Sequence, residues 1–199
     1  MSVQTGEAPL LSPEFLRSHF DAGLPYDRYA ATGNPHQQAS WKEIYDRARL
    51  TEAQRALVAS WTRDMPVLVS SGVWCGDCVQ QCPLLARIAE ANPARVRVRF
   101  VDRDAHKSLA ERVMICGGLR VPTAIFMAED FAFVSLLGDR TLARYRAVAA
   151  RQLGASCPVP GAPIESDELA ATLQDWLDEF ERVQLVLRLS ARLRQKHGD

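Results

Sequence analysis

Apolar residues recur along this chain in two rhythms, and the changes of rhythm mark out its elements. Phe15, Leu16, His19 and Phe20 fall at helical spacing behind Ser12-Pro13, an N-cap followed by proline at the first helical position. Gly23 ends that helix. Pro25 to Ala31 predicts a further short helical turn, Thr32-Gly33-Asn34-Pro35 a loop, and Trp41, Ile44, Tyr45 and Ala48 another helix. Thr51 with Gln54 is a capping-box start for a helix through Leu57, Val58 and Trp61 to about Arg63. No strand is predicted up to that point. The rhythm then changes. Val67 to Val69 is a short aliphatic run that reads as a buried strand. Val96, Val98 and Phe100 alternate with Arg95, Arg97 and Arg99, which is the pattern of a half-exposed strand. Its arginines are expected in solvent or paired with Asp102 and Asp104.

Asp104 to Met114 predicts a helix ended by Gly117-Gly118. Pro122 to Met127 and Phe131 to Leu137 predict a hairpin turning at Ala128 to Asp130, and a helix to Leu153 follows Gly138-Asp139-Arg140-Thr141. Gly154 to Pro163 reads as a linker. From Ser166 a long helix is expected, with Leu169, Leu173, Trp176, Leu177, Phe180, Val183 and Leu187 along one stripe. Its start is acidic and its end basic (Arg188, Arg192, Arg194, Lys196), which suits the helix dipole. Such an end also fits a membrane surface or a partner helix.

Composition narrows the function. The 199 residues carry 24 basic and 24 acidic side chains, so no overall charge draws the chain to nucleic acid or to a membrane. No window reaches transmembrane length. Residues Met1 to Leu11 lack a basic region followed by an apolar core, so no signal peptide is expected and a reducing cytoplasm is. Five cysteines is an odd count and argues against a secreted disulfide framework.

The candidate chemistry lies in Met65 to Leu85. Cys75-Gly76-Asp77-Cys78 opens a predicted helix, where unpaired N–H groups and the positive dipole end favour a thiolate at Cys75, the form that attacks disulfides. The same spacing serves zinc. Cys75, Cys78 and Cys82, with Cys116 or His106, would make a four-ligand metal or iron–sulfur set; a plain buried thiol at Cys82 fits the spacing equally.

Trp74-Cys75-Gly76-Asp77-Cys78 after a strand resembles the active site of the thioredoxin family. Pro83 stands where that family has a helix-kinking proline, and Val121-Pro122-Thr123 where it has its cis-proline. The order of elements over residues 51–153 agrees. The resemblance implies a three-layer α/β thioredoxin-like fold, a central mixed sheet flanked by helices. Around that domain, 1–50 would be a helical extension and 154–199 a linker and C-terminal helix, as in a bacterial thioredoxin-like branch with such flanks. It implies a thiol–disulfide oxidoreductase, with Cys75 as nucleophile and Cys78 as resolving thiol. Trp74, Gly76 and Asp77 would tune the pair, and the backbone at Val121, before Pro122, would hold the substrate. No cofactor or metal is implied. The partners would be a disulfide-containing protein or small molecule and an electron-donating reductase. The alternative is a binding or assembly module of this fold with weak or no turnover.

Two departures matter. Asp77 replaces the usual proline between the cysteines, and a carboxylate there opposes the thiolate. Val69 replaces a buried aspartate that serves the resolving cysteine, leaving Asp102, Asp104, Glu129 and Asp139 as substitutes. Asp102-Arg103-Asp104 and Asp139-Arg140 read as structural ion pairs, and Cys116 and Cys157 as buried or loop thiols. The aromatics of the N-terminal extension are expected on the core, or else in a groove that shapes what reaches Cys75.

Overall fold

The structure, a computed structural model, describes residues 10–153 and 167–199. Four strands, β1 Met65–Ser71, β2 Val96–Asp102, β3 Thr123–Met127 and β4 Phe133–Gly138, form one sheet in the order β2-β1-β3-β4. β1 runs parallel to β2 and antiparallel to β3, and β3 and β4 form a hairpin. The sheet is therefore mixed, and the fold is the expected three-layer α/β arrangement. β1 is buried along its whole length, as an inner strand covered on both faces must be.

Side chains alternate across the sheet and sort the helices into two layers. Leu68, Val101, Ile125 and Met127 face Leu16 and Phe20 of α1 (Pro13–Ala22) and Leu109 of the short α6 (Lys107–Ala110). Val67, Val69, Ala124 and Phe126 face the larger core, built from α3 (Pro35–Arg47), α5 (Gly76–Glu90) and α8 (Glu168–Leu189). α2 is Tyr26–Ala30, α4 is Glu52–Ala59, α7 is Leu142–Leu153 and α9 is Ala191–His197.

The predicted caps form. Ser12 Oγ accepts from Phe15 N–H with Pro13 at the first helical position, and Thr51 and Gln54 make a reciprocal box. A second box, Asn34 with Gln37, starts α3 inside the stretch expected to be only loop. The helix predicted over Asp104 to Met114 shrinks to α6 and a 3-10 turn, Glu111–Val113. Asp102 Oδ1 accepts from the N–H groups of Asp104 and Ala105 and holds the preceding residues in a turn instead. The linker over Gly154 to Pro163, the start at Ser166, Cys157 and the first nine residues lie outside the described residues.

The helix after β4 stands where the thioredoxin order of elements has the helix that closes the sheet. α7 buries only Ala147. It is α8 that lies on α5 and β4, with Trp176, Phe180 and Val183 fully buried and the Phe180 ring edge-on to Phe126, centroids 5.0 Å apart. The apolar stripe read in the sequence is the sheet's own lid. The basic end beyond it folds back on the chain. Arg192 pairs with Asp130 and Lys196 with Glu129, while His197 Nε2 lies 2.8 Å from Glu129.

Candidate functional site

The candidate residues gather at the C-terminal ends of β1 and β2. β1 ends at Ser71, and the chain turns through Gly72 to Trp74 into α5. A β-carbon on Gly72 would stand 2.6 Å from the Trp74 ring, so only glycine lets the indole fold back over the turn. The turn is also anchored from outside: Trp41 of α3, fully buried, donates its indole N–H to Val73 O at 3.0 Å. The N-terminal extension thus packs on the core, as expected, and also fixes the segment leading into Cys75.

Cys75 is the N-cap of α5. Its Sγ lies 3.6 Å from Val121 O, and the Val121–Pro122 peptide bond is cis. Cys78 is buried one turn into α5, and its Sγ accepts from Gly72 N–H at 3.4 Å. Cys82, a turn deeper and fully buried, has its Sγ 3.5 Å from Ser71 Oγ. All three thiols are free. Gly138 completes the frame, because a β-carbon there would stand 2.6 Å from Pro122 O. The turn after β4 therefore sits directly against the Pro122 segment.

In the sequence the helix N-terminus predicts a lowered Cys75 pKa and the Asp77 carboxylate a raised one; the structure gives the raised direction, from other causes. The Cys78 thiol beside it and burial push Cys75 up, outweighing the backbone N–H groups of Cys78 and Asp77. Burial pushes Cys78 well up too, against hydrogen bonds from Cys75 and Ser71. A thiol of raised pKa is the stronger reductant and the less ionised nucleophile.

Asp77 is not the lone carboxylate that its sequence position suggests. Arg140 Nη2 lies 2.5 Å from one of its oxygens, and Arg144 Nη2 3.1 Å from the other. Both arginines are mostly buried, and Arg144 continues to Glu168 at the start of α8 at 2.5 Å. The negative charge between the cysteines is matched by two positive ones carried on the β4–α7 turn and the first turn of α7. Arg140 also pairs with Asp139 at 3.3 Å, the ion pair expected. Gln81, fully buried on α5, donates to Asp139 O at 2.9 Å and accepts from Thr141 N–H at 3.3 Å, which locks that turn to α5.

The candidates for the missing buried acid separate by position. Glu129 lies at the opposite end of the sheet, with Lys196 and His197. Asp104 pairs with Arg103 at 2.9 Å, and Asp102 caps its turn. Asp139 is buried beside the Pro122 segment, but Arg140, Arg120 and Tyr145 engage it. The Cys78 sulfur accepts from Gly72 N–H, with the Cys75 and Cys82 thiols and the Ser71 hydroxyl, itself 3.5 Å from Cys82 Sγ, around it. Ser71, Arg140 and Arg144 were missed as site residues; the sequence hint was a hydroxyl on the Val69 face of β1 and arginines spaced one helical turn apart.

Trp74 is half exposed, with the Arg103 guanidinium 4.7 Å from its ring centroid. Gly76 has open space where a side chain would go. Cys116 is exposed in a left-handed turn, at φ 50°, the loop thiol of the two alternatives. The metal alternative loses its geometry: among the described residues, no group of three or more His, Cys, Asp or Glu side chains is arranged to hold an ion. Nor is any described helix long and apolar enough to cross a membrane.

A family model described as Thioredoxin matches residues 23–149, ending before α8. No curated protein matches the chain. Among solved structures, a protein of unknown function from Pseudomonas aeruginosa aligns with a TM-score of 0.66 at 19% identity, over 83% of this chain and 96% of that one. An HIV epitope-scaffold aligns with a TM-score of 0.61 at 17% identity, over 88% of this chain and 98% of that one. At such identities both speak to the fold alone.

Proposed function

The chain belongs to the thioredoxin family, and from that premise we propose that it is a thiol–disulfide oxidoreductase that reduces protein or small-molecule disulfides. The fold and the neighbouring Cys75–Cys78 pair support a redox role of the thioredoxin kind. The observation that carries the reading is one juxtaposition. A half-exposed thiol caps α5, a buried thiol lies against it, and the Val121 carbonyl stands 3.6 Å away on the other side.

The steps balance within the dithiol. Cys75, as thiolate, attacks one sulfur of the substrate disulfide. A Cys75–substrate S–S bond forms, and the other substrate sulfur departs with the electron pair and takes a proton. Cys78 then loses its proton to solvent, and its sulfur attacks Cys75 Sγ. The mixed disulfide breaks, the second substrate thiol leaves, and Cys75–Cys78 is now oxidised by two electrons. Gly72 N–H and Ser71 Oγ stabilise the developing charge on Cys78, the task a buried aspartate would otherwise share. A reductase of matching dithiol chemistry returns the electrons. Trp74 walls the entrance, Gly76 leaves it open above α5, and Asp77 tunes it together with its two arginines. The backbone at Val121, before Pro122, receives the substrate chain as an added strand. The reaction calls for no cofactor or metal, and the cytoplasm, with its reducing poise, is its compartment.

The test is reduction of insulin or a small aromatic disulfide with dithiothreitol as electron source. Wild-type protein turns over, Cys75→Ser loses all activity, and Cys78→Ser traps the substrate as a mixed disulfide. Absence of turnover in the wild type, together with no trapped adduct, would leave a binding module of the same fold.

A further inference from the structure

The Cys78 sulfur must carry a negative charge in the resolving step, yet it is fully buried and among the described residues no carboxylate hydrogen-bonds it. Val69 on the same face of β1 is apolar and fully buried. Two residues on, Ser71 is fully buried as well, with its Oγ 3.5 Å from Cys82 Sγ. Burial pushes the Cys78 thiol up, and the Ser71 hydroxyl, with Cys75, opposes that push. A hydroxyl has one hydrogen to give and two lone pairs to fill. When Ser71 gives its hydrogen to Cys78, its oxygen still accepts from another donor.

A donor stands ready in the N-terminal extension. Tyr29 of α2 is buried, its ring stacked on Phe100 with centroids 5.6 Å apart and tilted against Trp41 at 5.7 Å. Its hydroxyl lies beside Ser71, but in the free dithiol it closes no hydrogen bond of good geometry among the described residues. A buried phenol ordinarily has a partner, and an idle one costs stability. Burial pushes the Tyr29 pKa up, and the nearby Cys82, Cys78 and Asp102 add to that push while Ser71 opposes it. The phenol therefore keeps its proton and acts as a donor, not as a base. Cys82 competes weakly for the same place, because S–H is a poor donor. A donor left idle in the resting state and engaged once charge appears favours the charged state selectively.

We infer that Tyr29 is a positioning residue for the resolving step: its hydroxyl donates to Ser71 Oγ, and Ser71 donates to Cys78 Sγ as that sulfur ionises. The inference rests on the thiol–disulfide exchange proposed above and adds no bond change to it. The Cys78 proton leaves to solvent, and the two hydroxyls keep theirs. The extension thus serves both sulfurs, Cys75 through Trp41 on the turn before it and Cys78 through Tyr29.

The test uses the full chain with Cys116→Ser and Cys157→Ser, which removes the thiols outside α5. The reduced protein is mixed with an equal concentration of a bis(nitrobenzoate) disulfide, each half of which absorbs once released. The first half leaves when Cys75 attacks, the second when Cys78 resolves, and only the first rate depends on concentration. Tyr29→Phe removes the hydroxyl and keeps the ring. It should lower the ratio of second rate to first about tenfold. Carbon NMR of Cys78 in a Cys75→Ser background should show its thiol ionising at higher pH once Tyr29→Phe is added. Unfolding stability should hold level, because the lost hydroxyl had no partner. A ratio untouched by Tyr29→Phe would overturn the inference and leave the oxidoreductase standing. So would a slower second release with the Cys78 titration unmoved, which is the mark of packing alone. A second release slowed by Cys82→Ala and not by Tyr29→Phe would give the place to Cys82. Failure of the first release in the parent protein would remove the exchange reaction itself, and this step with it.

Discussion

α7 and α8 follow β4 in succession, and both carry apolar residues at helical spacing, yet they differ in what they bury. α7 buries Ala147 alone and leaves Leu142, Tyr145 and Leu153 exposed. With the turn before it, it turns Arg140 and Arg144 onto Asp77. α8 buries eight residues, among them Trp176, Leu177 and Phe180. Six large apolar side chains at about 1.5–3 kcal/mol each give a gross stabilisation on the order of 10 kcal/mol before ordering entropy is charged against it. Position in the chain therefore does not decide which helix completes the sandwich; the density of the apolar stripe does. A helix released from that duty is free to carry charge to the thiols.

The largest effect expected from this contrast is on stability. Trp176→Ala opens a cavity between α8 and the sheet and should cost about 3–5 kcal/mol in urea or thermal unfolding. Trp176→Phe should cost much less, because the buried indole N–H has no hydrogen-bond partner to lose among the described residues. A loss below about 1 kcal/mol for the alanine variant would return α8 to the status of an appendage.

Next comes the charge carried by α7 and the turn before it. Arg140→Gln with Arg144→Gln leaves the Asp77 carboxylate unpaired at the tip of α5. An unbalanced negative charge there disfavours the Cys75 thiolate, so its pKa should rise. The pH–rate profile for disulfide reduction moves up with it. Asp77→Asn removes the carboxylate nearest the thiols while Arg140 and Arg144 keep Asp139 and Glu168, and both the pKa and the profile should move down. Thiolate absorbance titrations of the three proteins check both signs. Coincident curves would mean that α7 touches the site without tuning it. The stability cost should be about 1–3 kcal/mol at most, since the pair is partly solvated.

The sequence displayed the frame better than the wiring. β1, the hairpin of β3 and β4, the caps at Ser12 and Thr51 and the stripe of α8 were legible, because each rests on spacing within one segment. The cysteines and Pro122 were legible because they form a motif. Pairing across the chain was not. Nothing local says that Arg144 reaches Asp77, that Trp41 holds Val73, or that His19 Nδ1 lies 2.7 Å from His106 Nδ1. The lowering expected of Cys75 from the helix N-terminus fails for the same reason. The helix dipole belongs to the segment, but burial and the nearness of Cys78 belong to the fold. Which of two amphipathic helices closes the sheet is written in the size of its apolar stripe and not in its order along the chain.

The smallest effect sharpens where that closure ends. α8 stops at Leu189, and α9 continues as a basic segment whose Arg192 and Lys196 pair with Asp130 and Glu129 on the hairpin turn between β3 and β4. These side chains are largely in solvent apart from Glu129, and Glu129 is held below the usual carboxylate range first by its hydrogen bond to Lys196. A depressed carboxylate stabilises the fold above its unfolded pKa and loses that contribution as pH falls through the folded one. Exposed pairs of this kind are worth about 0–1 kcal/mol. Arg192→Ala with Lys196→Ala should therefore lower stability by less than about 1 kcal/mol at neutral pH. That deficit should shrink toward zero under acid conditions and in high salt, while the Trp176→Ala deficit persists in both. If the tail variant instead lost as much as the core variant, independent of salt, the boundary drawn at Leu189 would be misplaced, and α9, through the buried Leu193, would belong with α8 to the lid.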